Sequence, residues 1–201
     1  MTSTNSDSKI LAIILSGGAG HRFGGADKGL QIYQGRTLIE HTITAIKSQV
    51  SELVLCINRN EDDYIKLGHP LVFDESTADY QGPLAGIAAA YKWLRSDSQN
   101  YDYVLISSCD SPKLPCNYVS KLRTALEQSD AVSAVVHDGE RKQNLHCLIH
   151  SNALPSLVTF FNKGGRAMHR WHQQKGLIEV DFSDQANCFS NFNYAEQLTD
   201  K

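Results

Sequence analysis

Long hydrophobic runs are missing from this chain of 201 residues. The longest, Ile10–Leu15, holds six, against about 20 for a helix that crosses a bilayer. Only Lys9 precedes it as a positive charge, so no secretion-signal pattern forms either. These absences predict a cytoplasmic protein with no membrane partner. A net basic charge is also missing: 19 Lys and Arg face 22 Asp and Glu, a formal charge of −3. No global field therefore points to nucleic acid. Paired cysteine motifs are absent. Cys56, Cys109, Cys116, Cys147 and Cys188 are odd in number and contain no C-x-x-C, which excludes a disulfide frame or a cysteine zinc site. Proline is scarce at 5 residues, and no linker, repeat or low-complexity stretch occurs. The remaining composition, 41% hydrophobic and 20% charged, excludes a disordered or collagen-like chain and suffices for one buried core. The expected organisation is a flexible tail over 1–9 and a single domain over 10–201.

Short apolar runs alternate with helical patterns. Ile10–Leu15, Leu53–Ile57, Leu71–Phe73, Val104–Ile106 and Ala131–Val136 read as buried strands, with Leu145–Ile149 a weaker one. Thr37-Leu-Ile-Glu40 is a capping box ahead of Ile39, Ile43, Ile46 and Val50. Pro83 and Pro115 each stand where a first helical residue is expected, and Ser151–Phe161 reads as a further helix. This order predicts an α/β fold: three layers, a mostly parallel sheet with helices on both faces. Asp138-Gly139 between two β-like runs signals a hairpin and an added antiparallel strand. In such folds ligands sit at the carboxyl ends of the strands.

The first strand is followed by Gly17, Gly18, Gly20, Gly24 and Gly25, with Arg22 and Lys28 among them. Glycines let consecutive N–H groups approach an anion, and two cations beside them complete a polyphosphate cradle. The dinucleotide G-x-G-x-x-G fails at Phe23, and the P-loop fails because Asp27-Lys28-Gly29 lacks a Ser or Thr after Lys. The spacing L-x-G-G-x-x-x-R-x-G-x-x-x-K is similar to the opening loop of nucleotidyltransferases.

Asp110 follows the Val104–Ile106 strand and is aimed at the same crevice. Phosphoryl chemistry calls for a divalent cation on hard oxygen ligands. Read alone, Asp110 fits a metal ligand and a turn cap equally. Asp74 follows the Leu71–Phe73 strand and fits a nucleotide contact or an ordinary loop acid. His146, His150, His169 and His172 read as hydrogen-bonding or surface residues, and Trp93 and Trp171 as packing residues.

Together LSGGAGHRFGGADKGL (15–30), FDES to DYQGPLAG (73–86), SCDSPKLP (108–115), VVHDGER (135–141), VDFSD (180–184) and FSNFN (189–193) closely resemble the molybdenum cofactor guanylyltransferases of the MobA type. The resemblance implies a Rossmann-like nucleotidyltransferase fold, GTP as donor, Mg²⁺ as cofactor and a molybdopterin-type acceptor. A transient contact with cofactor-synthesis or molybdoenzyme chaperone proteins is implied as well. It places Leu15, Ser16, Gly17, Gly18, Lys28, Cys56 and Asp74 on the nucleotide, and Asp110 on both nucleotide and Mg²⁺. Arg22, Arg166, Asn191 and Asn193 fall on the acceptor side, with Trp171 a further candidate to shelve a pterin ring. Lys28, Asp110 and Arg22 are the expected catalytic residues. Two departures stand out. Cys56 replaces the Asn of a close family member, and Gln143-Asn-Leu-His146 lacks a proline common there.

The implied reaction is in-line attack of the acceptor's terminal phosphate on the α-phosphorus of GTP, with pyrophosphate leaving. Positioning and charge stabilisation then carry catalysis, with no side-chain nucleophile. The alternatives are a cytidylyltransferase, a sugar-phosphate nucleotidyltransferase, and a non-catalytic cofactor-binding adaptor.

Overall fold

The computed structural model describes residues 8–17, 26–74, 82–96 and 100–192. The expected tail over 1–9 lies largely outside them; Lys9 itself is tied down, donating its N–H to the Asp102 carboxylate at 2.8 Å.

The first strand, β1 (Ile10–Leu15), is buried at every position, as a strand covered on both faces must be. A small hairpin, β2 (Ile32–Tyr33) with β3 (Arg36–Thr37), turns through Gln34 and Gly35 at positive φ. Helix α1 (Leu38–Lys47) begins with the expected capping box: Thr37 Oγ1 accepts from the Glu40 N–H, and Glu40 accepts from the Thr37 N–H at 2.7 Å. There follow β4 (Glu52–Ile57), the short α2 (Glu61–Tyr64) and β5 (Leu71–Phe73). Pro83 opens α3 (Pro83–Ser96), as its fixed φ and missing N–H favour. The second half runs β6 (Tyr103–Ser108), α4 (Tyr118–Glu127), β7 (Ser133–His137), β8 (Lys142–His150), α5 (Leu154–Asn162), α6 (Met168–Lys175) and β9 (Leu177–Asp181). A 3₁₀ stretch, Ser183–Phe189, then leads back towards the strand ends.

Seven strands form one sheet in the order β5-β4-β1-β6-β8-β7-β9. The pairs β1–β4, β1–β6, β4–β5 and β7–β9 are parallel, and β8 runs against both β6 and β7. The hairpin expected at Asp138-Gly139 is the β7–β8 turn. Gly139 takes a φ of 96°, and the Asp138 side chain accepts from the N–H groups of Glu140 and Arg141.

Period-two alternation divides the strands between two cores. Ile10, Ala12, Ile14, Leu53 and Leu55 meet α1 and α4 on one face. Leu11, Ile13, Val54, Val104 and Ile106 meet α3, α5 and α6 on the other. The three-layer α/β architecture is thus the one expected.

Pro115 does not open α4, which starts at Tyr118. Pro115 instead sits in the turn before it, and the cap comes from a distant residue. Gln49 accepts from the Val119 N–H at 3.0 Å while donating to the Pro115 carbonyl at 3.0 Å. A long-range amide thus does the work that a local cap signal would have advertised.

The chain order places a topological switch at the centre. From β1 it moves outward to β4 and β5, then returns to the opposite side with β6. The crevice beyond the carboxyl ends of β1 and β6 is where such folds bind ligands.

Candidate active site

β1 and β6 run in register to their ends, with Leu15 opposite Ser108. The Cys109 N–H donates to the Leu15 carbonyl at 3.1 Å, so the segments that follow leave the sheet side by side. One carries Ser16 and Gly17, the other Asp110. Lys28 reaches across and its ammonium is paired with Asp110 Oδ2.

Asp110 is only 7% exposed. Its second oxygen, Oδ1, is buried and has no hydrogen-bond partner among the described residues. A buried carboxylate oxygen left in this way is costly. It is also the hard acceptor a divalent cation requires, and Mg²⁺ commonly takes one protein carboxylate with phosphates and waters completing its shell. The residues present fit that ion. Among the described residues no group of three or more His, Cys, Asp and Glu gathers elsewhere as a metal cage.

One wall of the site comes from the end of the described chain. After Ser183–Phe189, the Phe192 N–H donates to the Asp110 carbonyl at 3.0 Å, and Ser111 donates to Asn191 Oδ1 at 3.2 Å. Phe192 is held against Tyr33 of the small hairpin, ring centroids 4.7 Å apart, with Leu38 beneath. Asn191 therefore stands beside Asp110.

Beneath Ser111 lies a buried polar knot. The β7–β8 register slips between Val135 and Val136, so residues 144–146 bulge from β8, and bulges commonly re-aim side chains near sites. His146 from this bulge contacts Ser111 at 3.0 Å, Ser107 at 3.2 Å and Tyr118 at 3.4 Å. Burial pushes His146 down to about 4, against the opposing charge of Asp110. The ring is therefore neutral near pH 7. Burial likewise raises Cys109 to about 12 and the Cys56 thiol further still, so neither presents a thiolate.

The remaining expected residues are spread out. Leu15 ends β1 and its side chain joins the α3-side core. Ser16 points its hydroxyl at Tyr64, 2.6 Å away, and its N–H goes to the Cys56 carbonyl at 2.8 Å. Gly17 lies against the Asn58 amide, which a Cβ would approach to 3.5 Å. The Cys56 thiol points into the core and donates to the Gly86 carbonyl at 3.3 Å. Asp74 follows the outer strand β5 and borders a separate cavity of about 890 Å³ with Phe73, Trp93 and Phe161. Arg166 donates to the carbonyls of Phe161 and Gly165 at 3.0 and 2.8 Å. Trp171 is fully buried, its indole N–H donating to Ser156 at 3.2 Å, so it packs the core and offers no shelf. Gly18, Arg22 and Asn193 lie outside the described residues.

Sequence reasoning missed Asp27 and Tyr64. Asp27 is 7% exposed and accepts from Tyr64, Gly29 and Asn60. An acid directly before the loop lysine was the available signal. Tyr64 had none, because a tyrosine ending a short polar helix reads as packing.

Residues 12–176 match the family model of the MobA-like NTP transferase domain. The chain is 39% identical over 189 residues to a molybdenum cofactor guanylyltransferase of Shewanella sp. (strain ANA-3), covering 94% of this chain and 93% of that protein. It is 39% identical over 189 residues to one from Mannheimia succiniciproducens, covering 94% and 96%. Among solved structures it is similar to molybdopterin-guanine dinucleotide biosynthesis protein A from Archaeoglobus fulgidus, with a TM-score of 0.72 at 19% identity over 94% of each chain. A 4-diphosphocytidyl-2C-methyl-D-erythritol synthase from Anaerococcus prevotii shares the fold at a TM-score of 0.70 and 13% identity, covering 95% and 93%.

Proposed function

The chain belongs to the MobA-like NTP transferase family, and from this we infer that it transfers GMP from GTP to the terminal phosphate of a molybdenum-molybdopterin cofactor, releasing pyrophosphate. The observation that carries this reading is the Lys28–Asp110 pair at the β1/β6 switch point, with one Asp110 oxygen buried and unpartnered among the described residues.

In the reaction an acceptor phosphate oxygen forms a bond to the α-phosphorus as the α–β bridging bond breaks. Both reactants are polyanions, so repulsion is the main obstacle. Lys28 offsets it and orients the phosphates, because an ammonium donates in several directions at once. Asp110 would hold Mg²⁺ through its unpartnered oxygen. There the ion would supply neutralisation of the phosphate charge. Asn191 flanks Asp110 and supports an acceptor on that side of the crevice. No described thiol or serine is arranged as a nucleophile, and none is required when the acceptor phosphate is already ionised near neutral pH.

Calorimetry with GTP, CTP and ATP, each with and without Mg²⁺, tests the donor. Mg²⁺-dependent preference for GTP is expected, and Asp110→Asn is expected to remove the Mg²⁺ dependence. A preference for CTP would move the protein to the cytidylyl branch.

A further inference from the structure

A chain of buried hydroxyls links the described residues on either side of 18–25. Ser16 stands where the loop leaves β1, and Asp27 where it returns. Between them stands Tyr64, contributed by α2 and fully buried. Its hydroxyl lies 2.6 Å from Ser16 Oγ and 2.9 Å from Asp27 Oδ1. Neither of these two contacts uses the Lys28 or Asp110 side chain.

The direction of each hydrogen bond follows from chemistry. The Asp27 carboxylate accepts from the Gly29 N–H at 3.0 Å, from the Asn60 amide at 3.0 Å and from Tyr64. Tyr64 has one hydrogen, and it goes to Asp27. Ser16 must then donate to Tyr64. Burial, and after it the neighbouring Cys109, raises the Tyr64 phenol well above its ordinary range, so the hydrogen stays in place. The packing is equally restrictive: a Cβ on Gly29 would fall 2.1 Å from Ser16 Oγ and 2.4 Å from the Tyr64 hydroxyl.

Lys28 sits between two residues that this network holds. Asp27 is held by its side chain and Gly29 by its N–H. The backbone that launches Lys28 towards Asp110 is therefore clamped from below. A Lys side chain carries much rotamer entropy, so a fixed base limits what must be ordered when phosphate arrives.

We propose that Tyr64 is a positioning residue for nucleotidyl transfer: its hydroxyl clips Ser16 to Asp27 and so fixes the base from which Lys28 acts on the GTP phosphates. The inference rests on the nucleotidyltransferase reading above. Tyr64 touches neither substrate nor metal; it acts through Lys28.

The test is Tyr64→Phe, alone and combined with Lys28→Met, with kcat and the KM for GTP measured with Mg²⁺ and acceptor. Loss of one buried hydrogen bond is expected to lower kcat about tenfold in the native background. With Lys28 removed, the same change is expected to cost less than about twofold, because the two residues act as a unit. Amide exchange over residues 26–31, measured without nucleotide or Mg²⁺, is expected to quicken in Tyr64→Phe and not in Lys28→Met. Ser16→Ala removes the other half of the clip and carries the same expectations should Tyr64→Phe fail to fold. Equal losses in both backgrounds would make Tyr64 a general structural residue and overturn the proposal. A native kcat in Tyr64→Phe would overturn it as well, leaving the proposed function intact. If the unaltered protein releases no pyrophosphate from GTP with Mg²⁺ and acceptor, the function and this proposal fall together.

Discussion

The backbone N–H of Phe192 donates to the backbone carbonyl of Asp110 at 3.0 Å. That bond joins the last part of the described chain to the segment after β6, where Ser111, next to Asp110, donates to Asn191 Oδ1. The site is therefore assembled from the segments after β1 and β6 and from the stretch after β9, three parts of the chain far apart in sequence.

Asp110→Asn tests the carboxylate. The amide keeps the shape but replaces one acceptor oxygen with a donor and removes the charge facing Lys28. Pyrophosphate release is expected to fall by more than about 100-fold, beyond the effect of a single charge-assisted contact. The thermal midpoint is expected to fall modestly, because the Lys28 ammonium loses its paired carboxylate.

Lys28→Ala removes the cation and leaves the metal ligand. If the contact acts fully in the transition state, its loss of roughly 1.5–3 kcal/mol corresponds to about 10- to 100-fold in kcat. Steady-state kinetics with GTP as the varied substrate checks it. A change confined to KM would instead assign Lys28 to ground-state binding.

Gly29→Ala tests the packing under the loop. A Cβ there meets Ser16 Oγ at 2.1 Å and the Tyr64 hydroxyl at 2.4 Å, so the pair must shift to admit it. Overpacking of this kind costs about 1–3 kcal/mol. Denaturant titration is expected to show that loss, and adding Ser16→Ala is expected to restore part of it.

Acid sensitivity follows from His172, which burial pushes down to about 4. Its Nδ1 lies 2.9 Å from Ser133 Oγ and its Nε2 3.3 Å from the Asn144 carbonyl. Because the folded value is depressed, the unfolded chain binds the extra proton as the pH drops below the ordinary histidine range of about 6.5. Stability is full above that point and falls on the way down, by up to about 1.4 kcal/mol per pH unit for each such ring. His146 contributes in the same direction. Denaturation from about pH 7.5 to 5 is expected to show the slope, and His172→Asn to show a shallower one.

The strands, their direction and the capping box of α1 were legible because each rests on a local pattern: apolar alternation, a Thr-x-x-Glu spacing, an Asp-Gly turn. The placement of Lys28 and Asp110 together was legible because one lies in the segment that follows β1 and the other just after β6, two strands that the topology brings side by side. What stayed hidden was set by long-range contact. Gln49 caps α4, so Pro115 misled. The β8 bulge turns His146 into the polar knot, and no sequence pattern marks a bulge of that kind. Cys56, inside a strand, and Ser16, just after one, came to the nucleotide through the family resemblance alone; the Cys56 thiol instead meets the Gly86 carbonyl in the core, and the Ser16 hydroxyl meets Tyr64.

The most direct measurement is a turnover assay with molybdopterin-type acceptor and GTP or CTP, with Mg²⁺ present or withheld, following both the dinucleotide product and pyrophosphate. The account predicts a guanine dinucleotide and pyrophosphate in equal amounts, with GTP and Mg²⁺ both required and Asp110→Asn inactive. Formation of a cytosine dinucleotide in preference, or tight GTP binding with no pyrophosphate released in the presence of acceptor, would contradict it.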